Sequence, residues 1–356
     1  MTIALTYRNR NLNIVKKCFE SLQNQSFKNF EVIMVNYGSK DHYTKDLIEL
    51  VEEYSFIKLI NCPVSGQLWS KCRAINIALK LSKTDYFLVG DIDLIFHPDF
   101  VKIANQRASN VAVYFLYSFL SKKESLQNKS FEEYEIDFLG SHEITGTTLF
   151  PRNALIEVNG YDEFYHGWGA EDTDIHIRLK QSGLKIEFYD EKPLLKHQWH
   201  PKAYRSKNST SPFHSDLEKI NYQYMLLTEK KKRIKANLHH SWGLIPDATK
   251  YGLLNDKPDY QIHISTADTE FAALLVQLQN FEEELVKIQI IKPKLQNQLK
   301  QAFKRILKKK YLNYLDLERI NNLLLEEIIK YYRNSPYCYS FNRQKREIEL
   351  TIYFSQ

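Results

Sequence analysis

From Ile3 to Tyr117 the chain alternates short apolar runs with stretches whose apolar residues recur at helical spacing. The runs Ile3–Thr6, Glu31–Val35, Ile57–Ile60, Tyr86–Val89 and Val111–Tyr117 read as strands. Between them Leu12–Leu22, Lys45–Tyr54 and Trp69–Leu81 read as helices. This order predicts an α/β fold: a mostly parallel, doubly wound sheet with helices on both faces. Ligands of such sheets sit beyond the carboxyl ends of the strands, so chemistry is expected just after Thr6, Val35, Ile60 and Val89.

Further along, Thr148–Phe150 reads as a strand, Pro151–Ile156 as a short helix opened by proline, and Asp172–Gln181 as a helix ended by Gly183. The pattern divides the 356 residues into a catalytic domain over 1–245, a linker over 246–268 and a helical, basic region over 269–356. A hydrophobic content of 43%, with 13% aromatics, is enough for a packed core and excludes global disorder. No apolar stretch approaches the ~18 residues of a membrane-spanning helix, and the first residues do not have the pattern of a secretory signal. The four cysteines lack CxxC spacing, which argues against a zinc knot and points to a reducing cytoplasm. The net charge of +6 is uneven: Phe271 to Gln356 hold 15 Lys and Arg against 9 Asp and Glu, and the remainder balances. A basic tail on a neutral body suggests an acidic partner, such as a lipid surface or an anionic glycan, or else a solvated helical face. No nucleic-acid-binding motif accompanies it, so no nucleic acid is expected.

Three segments carry the chemistry. In Val89-Gly90-Asp91-Ile92-Asp93 a buried strand runs into two carboxylates at i and i+2, a pair suited to a hard divalent ion. In Gly167-Trp168-Gly169-Ala170-Glu171-Asp172-Thr173-Asp174 three acids crowd a helix start. Helix capping accounts for one acid there, but neither for the crowding nor for a tryptophan between glycines. In Leu194-Leu195-Lys196-His197-Gln198-Trp199-His200 an apolar strand ends in two histidines, one of which would complete a metal shell.

Taken in order with Tyr7-Arg8-Asn9-Arg10 and Gly38-Ser39, these motifs resemble inverting GT-A glycosyltransferases. The likeness is to family 2 bacterial enzymes and the related β-galactosyltransferases and chondroitin-polymerase-like domains. It spans Ile3 to Pro201 and includes Gly146–Pro151 and Asn159–Asp162. The resemblance implies that Thr6, Tyr7, Arg8 and Arg10 hold the nucleotide of a sugar donor, expected to be UDP-linked. It places Lys71 and Arg73 as cations near the diphosphate, Asp93 on Mn²⁺ or Mg²⁺, and Asp91 on the ribose or, through water, on the metal. His197 fits the late metal-binding histidine better than His200. Asp172 is implied as general base, Glu171 as an acceptor hydrogen-bond partner and Trp168 as a stacking wall. Where family 2 proteins often carry two acids before Gly-Ser, this chain has Asn36-Tyr37, which leaves Tyr37 to stack on the base.

The expected reaction moves a hexose or N-acetylhexosamine to a hydroxyl of a glycan or lipid-linked glycan. The resemblance, which does not extend past residue 240, also implies a bacterial polysaccharide pathway. The cysteine pattern places it in the cytoplasm, and the charge of the basic C-terminal helices points to contact with lipid or protein at the inner face of the membrane. A retaining transferase and a non-catalytic glycan- or nucleotide-binding module are the alternatives.

Overall fold

The computed structural model describes residues 1–142, 146–201 and 209–354. The chain divides into two units: one of 1–62, 69–201 and 218–245, the other of 63–68, 202–217 and 246–356.

In the first unit β1 (Thr2–Tyr7), α1 (Leu12–Gln23), β2 (Glu31–Tyr37), α2 (Asp41–Glu52), β3 (Ile57–Cys62), α3 (Lys71–Leu81) and β4 (Tyr86–Asp91) follow the expected alternation. Next come β5 (Leu94–Phe96), α4 (Phe100–Arg107), β6 (Val111–Phe115), β7 (Tyr117–Leu120), α5 (Lys122–Ser125), β8 (Ile136–Leu139), β9 (Thr148–Pro151) and α6 (Arg152–Glu157). Then follow α7 (Glu171–Gln181), β10 (Lys185–Tyr189) and β11 (Leu195–His197), and α8 (Leu217–Lys230) reaches this unit from Glu218 onward. The main sheet has the order β10-β6-β9-β4-β1-β2-β3. All neighbours are parallel except β9, which runs antiparallel to both β4 and β6. The doubly wound expectation is borne out.

Central position explains composition. β1 and β4 are flanked on both sides, and Ile3, Ala4, Leu5, Phe87, Leu88 and Val89 are buried. Helix α3 is buried on nearly every face from Cys72 to Leu79, and Ser70 caps its start by accepting a hydrogen bond from the Arg73 N–H (3.3 Å). Its first residue, Lys71, reaches Asp91 at the carboxyl end of β4.

One expected strand proves to be two. Within Val111–Tyr117, β6 joins the main sheet, while β7 begins at Tyr117 in a small sheet of order β5-β11-β7-β8. An unbroken apolar run hides the change because both sheets bury it. The small sheet matters for the site: β11 pairs antiparallel with β5 so that His197 faces Leu94, the residue after Asp93.

The second unit corrects the reading of the C-terminal third. The supposed linker contains α9 (Ala248–Gly252) and β12 (Tyr260–Ser265). The supposed helical region holds α10 (Asp268–Leu278), β13 (Leu285–Ile291), α11 (Leu295–Ile306), α12 (Leu317–Glu327), β14 (Tyr337–Asn342) and β15 (Glu347–Tyr353). A four-stranded sheet of order β12-β13-β15-β14 forms its centre. The strands follow period-two patterning: Val286, Ile288 and Ile290 are buried in β13, and Ile348, Leu350 and Ile352 in β15. The alternate positions, Lys287 and Gln289 in β13 and Glu347 and Glu349 in β15, are polar residues that also suit helices.

Candidate active site

The site is built where β1, β4 and β11 end. Past β1 the loop is fixed by Asn9, whose N–H donates to Ser39 Oγ (3.0 Å) and whose Oδ1 accepts from the Lys40 N–H (2.8 Å). The Tyr7 hydroxyl donates to the Arg10 carbonyl (2.9 Å), and Arg10 Nη2 then lies 3.1 Å from Asp93 Oδ2.

Asp93 sits in the turn between β4 and β5, and its carbonyl accepts from the Gln198 N–H (2.9 Å). That bond and the β5–β11 register bring in both histidines. His197 Nε2 is 3.4 Å from Asp93 Oδ1, and His200 Nε2 is 3.2 Å from Oδ2. The three ligand atoms lie within 4.8 Å of one another. Burial pushes the Asp93 carboxyl up, but His197, His200 and Arg10 together outweigh it and hold the group below the usual carboxylate range. Its Oδ1 is buried and makes no hydrogen bond among the described residues. One carboxylate and two imidazoles converging on an unsatisfied oxygen fit a divalent ion of the Mn²⁺ kind better than Mg²⁺, which takes oxygen ligands almost alone. The sequence set His197 ahead of His200; the fold brings both to Asp93.

Asp91 and Asp93 do not address one point, contrary to the i, i+2 expectation. The strand stops at Asp91, and the turn that follows sends Asp93 to the histidines. Asp91 belongs to a second cluster centred on Lys71. Lys71 Nζ is 3.2 Å from Asp91 Oδ1, 3.5 Å from Asp172 Oδ2 and 4.0 Å from Glu171 Oε1. Burial pulls the Lys71 ammonium down, but the three carboxylates prevail and hold it well above its usual range. The Asp172 carboxyl is pushed up to about 7, by burial first and then by Glu171 and Asp91, with Lys71 opposing. Asp172 Oδ1 is buried and has no hydrogen-bond partner among the described residues.

The start of α7 separates the acids by job. Ala170, at the N-cap, provides no side-chain cap and sits at φ 69, a left-handed conformation that costs an L-residue about 1 kcal/mol. Glu171 Oε2 folds back to accept from the Gly169 N–H (3.0 Å). Asp174 is buried against Arg178 (2.7 Å) and the Tyr165 hydroxyl (3.0 Å), a structural anchor. Asp172 caps nothing. Trp168 is 57% exposed, held by Asn221 of α8, whose Nδ2 donates to the Trp168 carbonyl (3.3 Å) and the His166 carbonyl (3.0 Å).

Three expected nucleotide contacts do not reach the site. Tyr7 is fully buried in the core beneath β1. Tyr37 is buried edge-on to Trp69, which precludes stacking on a base. Arg73 points into the interior, where its Nε donates to Glu163 Oε2 (2.9 Å) and it also bonds Tyr37. Glu163 Oε1 accepts in turn from Asn76 Nδ2 (3.0 Å) and the Gly243 N–H (2.7 Å). Glu163 is thus a fold residue that no motif announced. Glu163→Gln removes the counter-charge of a buried guanidinium and should lower stability by about 2 kcal/mol, read in a thermal melt. Thr6 is also buried, Arg8 is half-buried, and Arg10 and Lys71 are the cations the fold delivers.

Sequence reading passed over Tyr117, whose hydroxyl donates to Asp91 Oδ2 (2.8 Å) and lies 2.7 Å from Thr147 Oγ1. Gly146 makes room for that bond: a Cβ there would come within 2.6 Å of the Tyr117 hydroxyl and 2.9 Å of Asp91 Oδ2. Gly146→Ala should therefore displace Asp91 and cut turnover by about tenfold, with a stability loss near 1 kcal/mol. Turnover assays beside thermal melts would separate the two effects.

Residues 2–155 match the model for glycosyl transferase family 2, and residues 127–201 match that for the N-terminal domain of galactosyltransferase. Chondroitin sulfate synthase 3 of Mus musculus is 26% identical over 169 residues, 43% of this chain and 19% of that protein. Beta-1,4-galactosyltransferase 4 of Homo sapiens is 25% identical over 125 residues, 34% of this chain and 32% of that protein. The chain thus spans a third or less of the length of these curated relatives. A solved structure of GalNAc-T7 with UDP, GalNAc and Mn²⁺ aligns with a TM-score of 0.47 at 14% identity, covering 64% of this chain and 48% of that one. The expected resemblance to glycosyltransferases is borne out.

Proposed function

We propose that the first unit is a metal-dependent, inverting glycosyltransferase that moves a hexose or N-acetylhexosamine from a UDP-sugar to a hydroxyl of a glycan or lipid-linked glycan. One observation carries this reading: a metal-type donor set, Asp93 with His197 and His200, shares the end of the sheet with a carboxylate, Asp172, that is lifted to about 7 and keeps a buried, unpaired oxygen. The hexose follows the name of the galactosyltransferase relatives.

Asp93, His197 and His200 would hold the divalent ion, which when bound supplies positive charge to the diphosphate leaving group. The remaining steps belong to side chains. Arg10 and Lys71 add fixed positive charge beside Asp93 and Asp91, where preorganised cations stabilise developing negative charge without reorganising. Trp168 offers an exposed ring against which an apolar sugar face can pack. Asp172 Oδ1 accepts the acceptor hydroxyl's proton as that oxygen bonds to the anomeric carbon. The bond from that carbon to the phosphate oxygen breaks, and its electron pair leaves with the diphosphate. A carboxylate titrating near 7 suits a base that must be ionised yet basic at neutral pH. Glu171, already tied to the Gly169 N–H, can orient the acceptor through its remaining oxygen.

The test is nucleotide release from a panel of UDP-hexoses and UDP-N-acetylhexosamines with Mn²⁺, followed by the anomeric configuration of the transferred sugar. Release in Mn²⁺ that stops in chelator, with an inverted product, is the expected result. A retained anomer would remove Asp172 as base of a single displacement, and no release from any sugar would remove the activity.

A further inference from the structure

Helix α11 of the second unit is amphipathic, yet it buries none of its residues. Leu295, Leu299, Phe303 and Ile306 are 66%, 60%, 63% and 76% exposed. At ~100° per residue these four fall within about 80° of arc and form one continuous stripe. Leu307, Tyr311 and Leu312 extend the exposed apolar surface beyond the last turn. Exposed apolar area of this size, arranged along one line, marks a surface that is covered in function.

Charge identifies the cover. Between Ile291 and Tyr311 the chain carries eight Lys and Arg and no Asp or Glu. On the helix Lys300, Lys304 and Arg305 lie around the sides and back of the apolar stripe, and Lys308, Lys309 and Lys310 follow just past its end. The polar side is held in place: Gln301 Oε1 accepts from the Leu312 N–H (3.0 Å), and Gln298 Nε2 donates to the Pro293 carbonyl (2.7 Å).

We propose that α11 is an interfacial helix that lies on an anionic lipid bilayer, with Leu295, Leu299, Phe303 and Ile306 entering the acyl boundary and the basic residues facing lipid phosphates. Such a helix binds by buried apolar area plus attraction to acidic headgroups, and long basic side chains reach back to the headgroups while their stems stay in the apolar layer. A second copy of this segment, 292–310, would set eight positive charges against eight. A soluble polyanion would satisfy the charges but leave the four apolar side chains in water. Among the described residues no helix is long and apolar enough to cross a membrane, so α11 rests on the surface. The inference does not depend on the chemistry of the first unit.

Sedimentation of the full chain with vesicles tests it. Binding to equimolar phosphatidylcholine–phosphatidylglycerol vesicles should exceed binding to phosphatidylcholine alone by ~10-fold or more, and should weaken with salt. The double variant Leu299→Ser, Phe303→Ser should lose ~10-fold of that binding with an unchanged melt, because both side chains are exposed. Equal partition into the two vesicle types overturns the proposal. So does binding that survives the double variant, which would assign the basic residues to a polyanion. A wild-type dimer that the variant turns into a monomer, with no vesicle binding, assigns the stripe to a second copy instead.

Discussion

Asp93→Asn is expected to lower Mn²⁺-dependent nucleotide release by about 10³-fold while the protein remains folded. Asparagine keeps the volume and one carbonyl oxygen, so the turn between β4 and β5 and its bond to the Gln198 N–H persist. What disappears is the negative charge that Arg10, His197 and His200 all face. A dication approaching the variant meets two imidazoles and a guanidinium whose charge is no longer offset. Calorimetric titration should show Mn²⁺ affinity falling with turnover. The melt has a predicted pH dependence as well. A carboxyl held below its usual range adds stability that is present above its unfolded pKa and lost as pH falls through the folded one. The variant should therefore melt below the wild type at pH 7 and converge on it in acid. Wild-type release that is equal in chelator and in Mn²⁺ would sink the metal assignment.

The sequence made the first two hundred residues readable because pattern and packing agree there. β1, β2 and β4 are apolar through their centres and lie inside a sheet covered on both faces; α1 and α2 show one apolar stripe each. The site residues that could be picked out were those at strand ends and helix starts: Asp91, Asp93, Glu171, Asp172 and His197. Direction within a motif was hidden. Arg73 lies two positions from Lys71 on α3, and that step of about 200° turns it from the site into the core, onto Glu163. Tyr7 and Tyr37 close their strands as core residues, which an aromatic at a strand end does not reveal. His200 could not be chosen, because only the turn after β11 decides that it returns to Asp93. In the C-terminal third, alternation in β13 and β15 was overridden by a Leu-, Lys- and Gln-rich composition. Period was the better guide.

Asp172→Asn is expected to reduce transfer to acceptor by 10²–10⁴-fold and to leave donor affinity nearly unchanged. The substitution keeps the shape at the start of α7 and removes only the proton acceptor. Lys71 retains Asp91 at 3.2 Å and Glu171 at 4.0 Å, so the cluster does not fall apart. In the wild type, turnover should rise with pH through about 7 as Asp172 loses its proton, and this limb should vanish from the residual activity of the variant. Stability should move the opposite way from activity. A carboxyl lifted from its usual range to about 7 opposes folding once it ionises, so this cost grows between the unfolded pKa and the folded value and persists above it. Asp172→Asn should consequently melt above the wild type at pH 8 and show no such gain near pH 4. If the acids of α7 only capped the helix, the result would be reversed: a melt lowered by about 1 kcal/mol with turnover intact. A less stable Asp172→Asn protein with near-normal kcat would remove Asp172 from the chemistry. A variant that gains stability while losing turnover would show that the fold holds this carboxylate at a cost in stability, in a position where only its reactivity is useful.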